Sequence, residues 1–180
     1  MTPNPWRQPI LAHDNARVIV VDDKRSGVDM TDAQLAKAER LAGTLGMLNV
    51  RFRKGYIEHT DLETASYDCV ISNGVINLAA DKSHVFSEAA RLLKPGGRLA
   101  IADIVTELPL PDKVVCNADL WAACIGGAAQ QQSYYDTIET AGFRIDRIEE
   151  NTEYRFVSAR AQQATMKWGV KSVSLLATRI

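Results

Sequence analysis

Tyr67–Leu78 reads Y-D-C-V-I-S-N-G-V-I-N-L, and Leu92–Asp103 reads L-L-K-P-G-G-R-L-A-I-A-D, with a stretch of helical periodicity between them. Cys69–Ser72 is a short apolar run bounded by polar residues, the pattern of a strand buried on both faces. Over His84–Leu93 the apolar residues Val85, Phe86, Ala89, Leu92 and Leu93 recur on one helical face. Lys94-Pro95-Gly96-Gly97 stops that helix, since proline and paired glycines do not continue it, and Arg98–Ala102 returns as a second apolar strand. Strand, crossover helix and strand make a parallel βαβ unit. Its polar loop at Asn73-Gly74 falls beyond the carboxyl end of a strand, where open α/β sheets bind ligands.

Outward toward the N-terminus, A-R-V-I-V-V over Ala16–Val21 reads as a strand ending in Asp22 and Asp23. A polar break at Lys24–Gly27 follows. Thr31, with Gln34 three residues on, predicts a capping box for a helix whose buried face is Leu35, Ala38, Leu41, Ala42 and Leu45 and whose end is Gly46. Asn49–Arg53 is a short strand. Toward the C-terminus, Val114–Ala128 reads as a helix carrying Trp121, Cys124 and Ile125, and Ser133–Ala141 as another ended by Gly142. Strands at Arg144–Glu149 and Ser172–Arg179 flank a helix at Ala159–Trp168. The run Gln130-Gln131-Gln132 reads as a solvated loop.

The alternation predicts an α/β fold: a Rossmann-like, mainly parallel sheet with a C-terminal antiparallel strand pair, in one domain over 16–180. Residues 1–15 read as a loose arm, because Pro3, Pro5 and Pro9 exclude a regular helix.

The chain has 180 residues, 46% of them hydrophobic, enough to bury a core. A net charge of -1 does not favour nucleic acid or an anionic membrane. No apolar run approaches the roughly 20 residues that span a bilayer, and the start of the chain lacks the apolar core of a signal peptide, so the cytoplasm is the expected location. Cys69, Cys116 and Cys124 form no C-x-x-C and stand apart from the three histidines, which disfavours a disulfide framework or a structural zinc. The glycine, serine and histidine signatures of P-loop proteins, α/β-hydrolases and zinc proteases are absent.

Four strand ends carry candidate ligand groups. Asp29, or alternatively Asp22 or Asp23, follows the first predicted strand, where a carboxylate can accept both hydroxyls of a ribose. Tyr56–Glu58 follow the second, Asn73 and Gly74 the third, and Asp103 the fourth. Asp103, Glu107 and Tyr134 are general-base candidates by residue type alone.

The segments G-V-D-M-T, G-Y-I-E, S-N-G-V-I-N-L, L-L-K-P-G-G-R-L-A-I-A-D, W-A-A-C-I-G-G-A and W-G-V-K-S-V-S resemble the class I S-adenosylmethionine-dependent methyltransferases, nearest to the group of bacterial arsenite methyltransferases. The resemblance runs from about Gly27 to the C-terminus. It implies S-adenosylmethionine as cofactor, with Asp29 on its ribose, Met30 stacked on its adenine, the Ile57 backbone at the adenine edge and Asn73 near its methionine part. It implies that Cys124 is one of the group's arsenic-binding thiols, and that the substrate is a small molecule. The sequence departs from the family pattern in three places. None of its 11 glycines forms a G-x-G before Gly27, so the family's first strand, glycine-rich loop and following helix are expected to be absent. Tyr56 stands where the family has Asp, and Gly74 where it has Cys. With one family thiol left, a trivalent arsenic site is not expected, since a soft centre needs several converging thiolates. Apolar surface uncovered by the missing elements predicts a homodimer. The alternative is a cofactor-free, methyltransferase-like binding or dimerisation protein.

Overall fold

The apolar runs on either side of the helical stretch form the centre of one eight-stranded sheet, as β4 (Tyr67–Asn73) and β5 (Leu93–Thr106), paired in parallel. The structure is a computed structural model and describes residues 17–21, 25–117, 120–121, 124–156 and 159–180. The other strands are β1 (Arg17–Val21), β2 (Arg25–Asp29), β3 (Val50–Lys54), β6 (Ala129–Gln130), β7 (Phe143–Glu150) and β8 (Lys171–Arg179). The helices are α1 (Asp32–Thr44), α2 (Lys82–Leu92), α3 (Asp112–Val115), α4 (Gln131–Thr140) and α5 (Ala159–Trp168). The main order is β3-β2-β1-β4-β5-β8-β7, with β6 paired to β5.

The run 3-2-1-4-5 is the strand order of doubly wound nucleotide-binding sheets. One direction differs. β1 runs antiparallel to both neighbours, β2 and β4, whereas β2–β3 and β4–β5 are parallel. The β1 run therefore pairs directly with the strand holding Cys69, in the register Arg17↔Asn73 to Val21↔Cys69. β8 is antiparallel to β5, and β7 to β8, giving the expected antiparallel pair at the C-terminal side.

Several local expectations are corrected. The polar break expected over Lys24–Gly27 falls, from Arg25 on, in strand β2 (Arg25–Asp29), so Asp29 closes the second strand rather than following the first. The strand carries little apolar signal because tertiary fit holds it. A Cβ on Gly27 would stand 2.6 Å from the Phe52 ring of β3, so only glycine lets the two strands close. Helix α1 buries only Ala38, while Leu41 and Leu45 are 42% and 71% exposed. It lies against β2 and β3 at the sheet margin, and one row of small side chains suffices for that contact. Gln130 is in β6 and its side-chain oxygen accepts from Ser133 N (3.0 Å), capping α4, which begins at Gln131. Gly46 and Gly142, at φ +64° and +92°, end α1 and α4 as glycines at that position do. The arm expected over residues 1–15 lies outside the described residues.

The larger core packs α2 and α4 onto β4, β5 and β8, with Phe86 and Tyr134 fully buried and edge-to-face at 5.3 Å. A second core joins Ile104, Val114, Leu120, Ile125 and Ala128 to α5 through Ala161 and Ala164.

Candidate functional site

The carboxyl ends of β2, β3 and β4 lie on one edge, where ligands bind in sheets of this order. Asp29 ends β2 and is level with Lys54 of β3. Asn73 ends β4, level with Arg17 and Ala102. β1 separates β2 from β4, so Asp29 and Asn73 stand about 10 Å apart across two strand spacings. Met30, next to Asp29, is 59% exposed. After β3 the chain turns through Gly55, whose N–H donates to the Asp29 carbonyl (3.1 Å), and Ile57 packs half-buried on the larger core. Asp29, Met30 and Ile57 thus share one corner of the edge, with Asn73 on the far side of β1. Asp22 and Asp23 lie outside the described residues.

Asp29 is held from one side. Thr31 N and Thr31 Oγ1 both donate to its Oδ1, each at 2.8 Å. The expected capping box does not form: Thr31 sits at the N-cap of α1 but makes no side-chain cap bond. A carboxylate two residues back is a stronger acceptor partner for the hydroxyl than the helix is a donor partner, because its bonds are charge-assisted. Thr31 fixes Asp29 instead, and sequence reasoning had missed that role.

On the other side of the edge, the S-N-G-V-I-N-L and C-I-G-G segments prove to be two halves of one joint. Gly74, at φ +68°, donates its N–H to the Ala102 carbonyl (2.8 Å). The chain then makes a short 3-10 turn at Ile76–Leu78. Asn77, fully buried, donates Nδ2 to the carbonyls of Ile104 (2.8 Å) and Cys124 (3.4 Å). Gly127 lies so close that a Cβ there would stand 1.8 Å from the Asn77 carbonyl oxygen. Asn77 and Gly127 escaped the sequence reading although both lie inside the quoted motifs.

Cys124 is not on a helix face, which corrects the expected helix over Val114–Ala128. α3 ends at Val115, and Asn117 Oδ1 accepts from Leu120 N (3.0 Å), capping a separate turn. That turn closes with Cys124 N donating to Trp121 O and Ile125 N to Leu120 O, the two bonds of a Schellman closure. Cys124 takes the left-handed position, φ +59°, which favours glycine. Its Sγ donates to the Gly74 carbonyl (3.4 Å), and burial followed by the nearby Asp103 carboxylate raises its thiol pKa.

Below the joint, Asp103 is 2% exposed. It accepts from Ile104 N (2.9 Å) and Tyr134 OH (3.2 Å). Burial pushes its carboxyl up to about 7 against those bonds and the pull of Lys82. Burial also lowers the Lys82 ammonium. Tyr134 is 1% exposed and held well above the usual phenol range by burial and by Asp103. These two base candidates are therefore sealed against each other. The third, Glu107, is exposed and paired with Lys171 (3.0 Å).

The segment after β3 is clipped to α2. Glu88 Oε1 accepts from Thr60 N (2.7 Å) and Oγ1 (2.6 Å), and Arg91 donates to Glu88, Thr60 O, Leu62 O and Thr64 Oγ1. Burial works to raise the Glu88 carboxyl, but the bonds from Arg91 and Thr60 override it and leave it at about 2. Between this segment, β4 and α2 lies a small gap of about 20 Å³, lined by Ile57, Thr60, Val70 and Phe86 among others. Its Ser72 Oγ is buried without a partner among the described residues.

The thiols do not converge. Cys69 is four residues down β4 from Asn73, about 13 Å by strand rise, and Cys116 is exposed after α3. Among the described residues no group of three side chains could hold a metal ion, and no helix is long and apolar enough to cross a membrane.

The sequence profile of the family described as Methyltransferase domain matches residues 12–142. An arsenite methyltransferase of Halobacterium salinarum is 39% identical over 131 residues, 71% of this chain and 34% of that protein. The arsenite methyltransferase of Homo sapiens is 37% identical over 68% of this chain and 35% of its own. This chain thus spans about a third of the length of the curated relatives it matches. A crystal structure of an arsenic(III) S-adenosylmethionine methyltransferase from Chlamydomonas reinhardtii superposes with a TM-score of 0.68 at 32% identity, covering 86% of this chain and 54% of that one. A geranyl diphosphate methyltransferase in complex with SAM superposes at 0.72 but with 20% identity over 86% of this chain and 68% of its own, a likeness of fold alone.

Proposed function

The chain belongs to the methyltransferase-domain family, and we propose that its ligand edge is an S-adenosylmethionine site serving a small-molecule methyl acceptor. The observation that carries this is Asp29: a carboxylate at the end of the second strand of a 3-2-1-4-5 sheet, fixed through one oxygen by Thr31, so that the other is left to a ribose. Met30 offers an apolar face to adenine and the Ile57 backbone its edge. Asn73 stands nearest the methionine part. S-adenosylmethionine supplies an electrophilic methyl group when bound. The chain's part is to place it and the acceptor, and positioning alone supplies much of the rate in such transfers. Cys124 lines the acceptor side. We propose an acceptor other than trivalent arsenic, because Cys124 faces the Gly74 carbonyl and no second thiol. Calorimetric titration tests both parts. Micromolar binding of S-adenosylmethionine or S-adenosylhomocysteine is expected, together with no heat from arsenite. Silence at millimolar nucleoside ligand defeats the reading.

Residues 16–180 form one domain in this proposal, with a cytoplasmic residence. A second reading, a methyltransferase-like dimerisation protein, is favoured by Leu41, Leu45 and Leu48, which are 42%, 71% and 98% exposed on and just after α1. Light scattering that shows a monomer at high concentration removes the homodimer.

A further inference from the structure

Resting on the reading of this edge as the cofactor site, we propose that it grips its ligand by the adenosine half alone. It therefore takes 5′-thioadenosines with or without an attached amino-acid chain. The direction of β1 carries the inference. In doubly wound sheets the strand between β2 and β4 delivers a glycine-rich turn and a helix N-terminus to the ligand edge, and backbone N–H groups there hold the charged part of the ligand. β1 stands in that place but runs the other way. Arg17, at its amino end, is level with Asn73, and Val21, at its carboxyl end, is level with Cys69. Its carboxyl end therefore lies about 13 Å from the ligand edge.

Among the described residues, most polar groups beside that slot are engaged by the protein, and Ser72 Oγ and Asn77 Oδ1, which have no partner, are buried out of a ligand's reach. Gly74 N–H is taken by the Ala102 carbonyl and the Gly74 carbonyl by the Cys124 thiol. Asn77 Nδ2 is taken by Ile104 and Cys124, and Asp103 is sealed beneath with Tyr134. By contrast, the corner with Asp29, Met30 and Ile57 is built. Its carboxylate is oriented, its methionine is 59% exposed, and its loop is clipped to α2 through Thr60 and Glu88.

The test is calorimetric titration of the full chain with 5′-methylthioadenosine and S-adenosylhomocysteine in parallel. A site that bonded the ligand's carboxylate and ammonium would favour the latter by roughly 100-fold, since each charge-assisted bond is worth about tenfold. We expect the two dissociation constants to agree within about tenfold. Asp29→Asn and Met30→Ala should weaken both ligands by the same factor, with Met30→Ala leaving the melting temperature unchanged because the side chain is exposed. A preference for S-adenosylhomocysteine above about tenfold overturns the inference and leaves the cofactor reading standing. No binding of either ligand, or binding indifferent to both substitutions, overturns the two together.

Discussion

Gly127→Ala is the sharpest probe of the joint between the two motifs. A Cβ at that position would stand 1.8 Å from the Asn77 carbonyl oxygen and 2.9 Å from both the Asn77 carbonyl carbon and the Trp121 ring. Ordinary contacts lie at about 3.5–4.0 Å, so the two segments must part by nearly 2 Å. The obstacle is backbone, on a residue with no exposed surface. Parting the segments also stretches the Asn77 bonds to Ile104 and Cys124, each worth about 1 kcal/mol. Overpacking costs about 1–3 kcal/mol where side chains can yield, and here the upper end applies, about 3 kcal/mol. For a chain of this length that is a fall of about 6–12 °C in Tm. Gly43→Ala is the internal control. Nothing lies within 4 Å of its added Cβ, and alanine in a helix gains up to about 1 kcal/mol over glycine. Urea denaturation of the two variants against the parent protein reads the difference. A loss below about 1 kcal/mol for Gly127→Ala, or no gap between the two variants, refutes the backbone contact and with it the joint.

Asp103 makes stability depend on pH. Its folded pKa of about 7 lies above the unfolded value near 4, so the folded state alone keeps the proton between them. Stability should fall as pH rises from about 4 to 7, by at most about 4 kcal/mol, and level off above that; Asp103→Asn should flatten this slope in denaturation curves taken across the window, and an unchanged slope counts against the burial of the charge. Cys124→Gly should be more stable than Cys124→Ala by about 1 kcal/mol, because only glycine occupies φ +59° without strain; equal melting temperatures would contradict the left-handed backbone. Arg91→Met should cost about 3 kcal/mol by leaving Glu88 buried and unpaired. Adding Glu88→Gln should recover part of that loss, and simple additivity of the two in a double-mutant cycle would show that the clip is not a coupled unit.

The parts of the fold legible in the sequence are those whose local pattern and tertiary role agree. The β4–α2–β5 unit is one, because a buried strand, an amphipathic helix and a Pro-Gly-Gly stop each leave their own signature. Helix α5 is another, found over the residues expected between the two flanking strands. What was not legible was decided by contacts far along the chain. R-S-G-V-D carries no strand signal, yet Gly27 admits Phe52 from 25 residues away and β2 forms. The continuous helix expected through Cys124 is broken by one Asn117 side chain that caps a new turn. The direction of β1 could not be read at all, since an apolar strand has the same composition in either direction. Within the site, Asp29 and Cys124 were visible as types of residue at telling places. That Thr31 orients the first, and that the second closes a Schellman turn onto Gly74, depends on geometry alone.

The joint also separates ancestry from chemistry. The family pattern that the loop resembles has cysteine where Gly74 stands, and Cys124 Sγ lies 3.4 Å from the Gly74 carbonyl oxygen. The two positions are therefore neighbours here, as a shared thiol site requires. A Cβ at Gly74 would meet nothing within 4 Å, so it would touch neither Asn77 nor Gly127. The same space means that the joint does not depend on a thiol at that position: the Asn77 bonds and the Gly127 contact hold it closed. Residues that carry the closure are thus distinct from the residue that would carry a soft acceptor. Likeness in S-N-G-V-I-N-L and C-I-G-G accordingly speaks for how this edge is built, and the acceptor must be argued from the single thiol that remains.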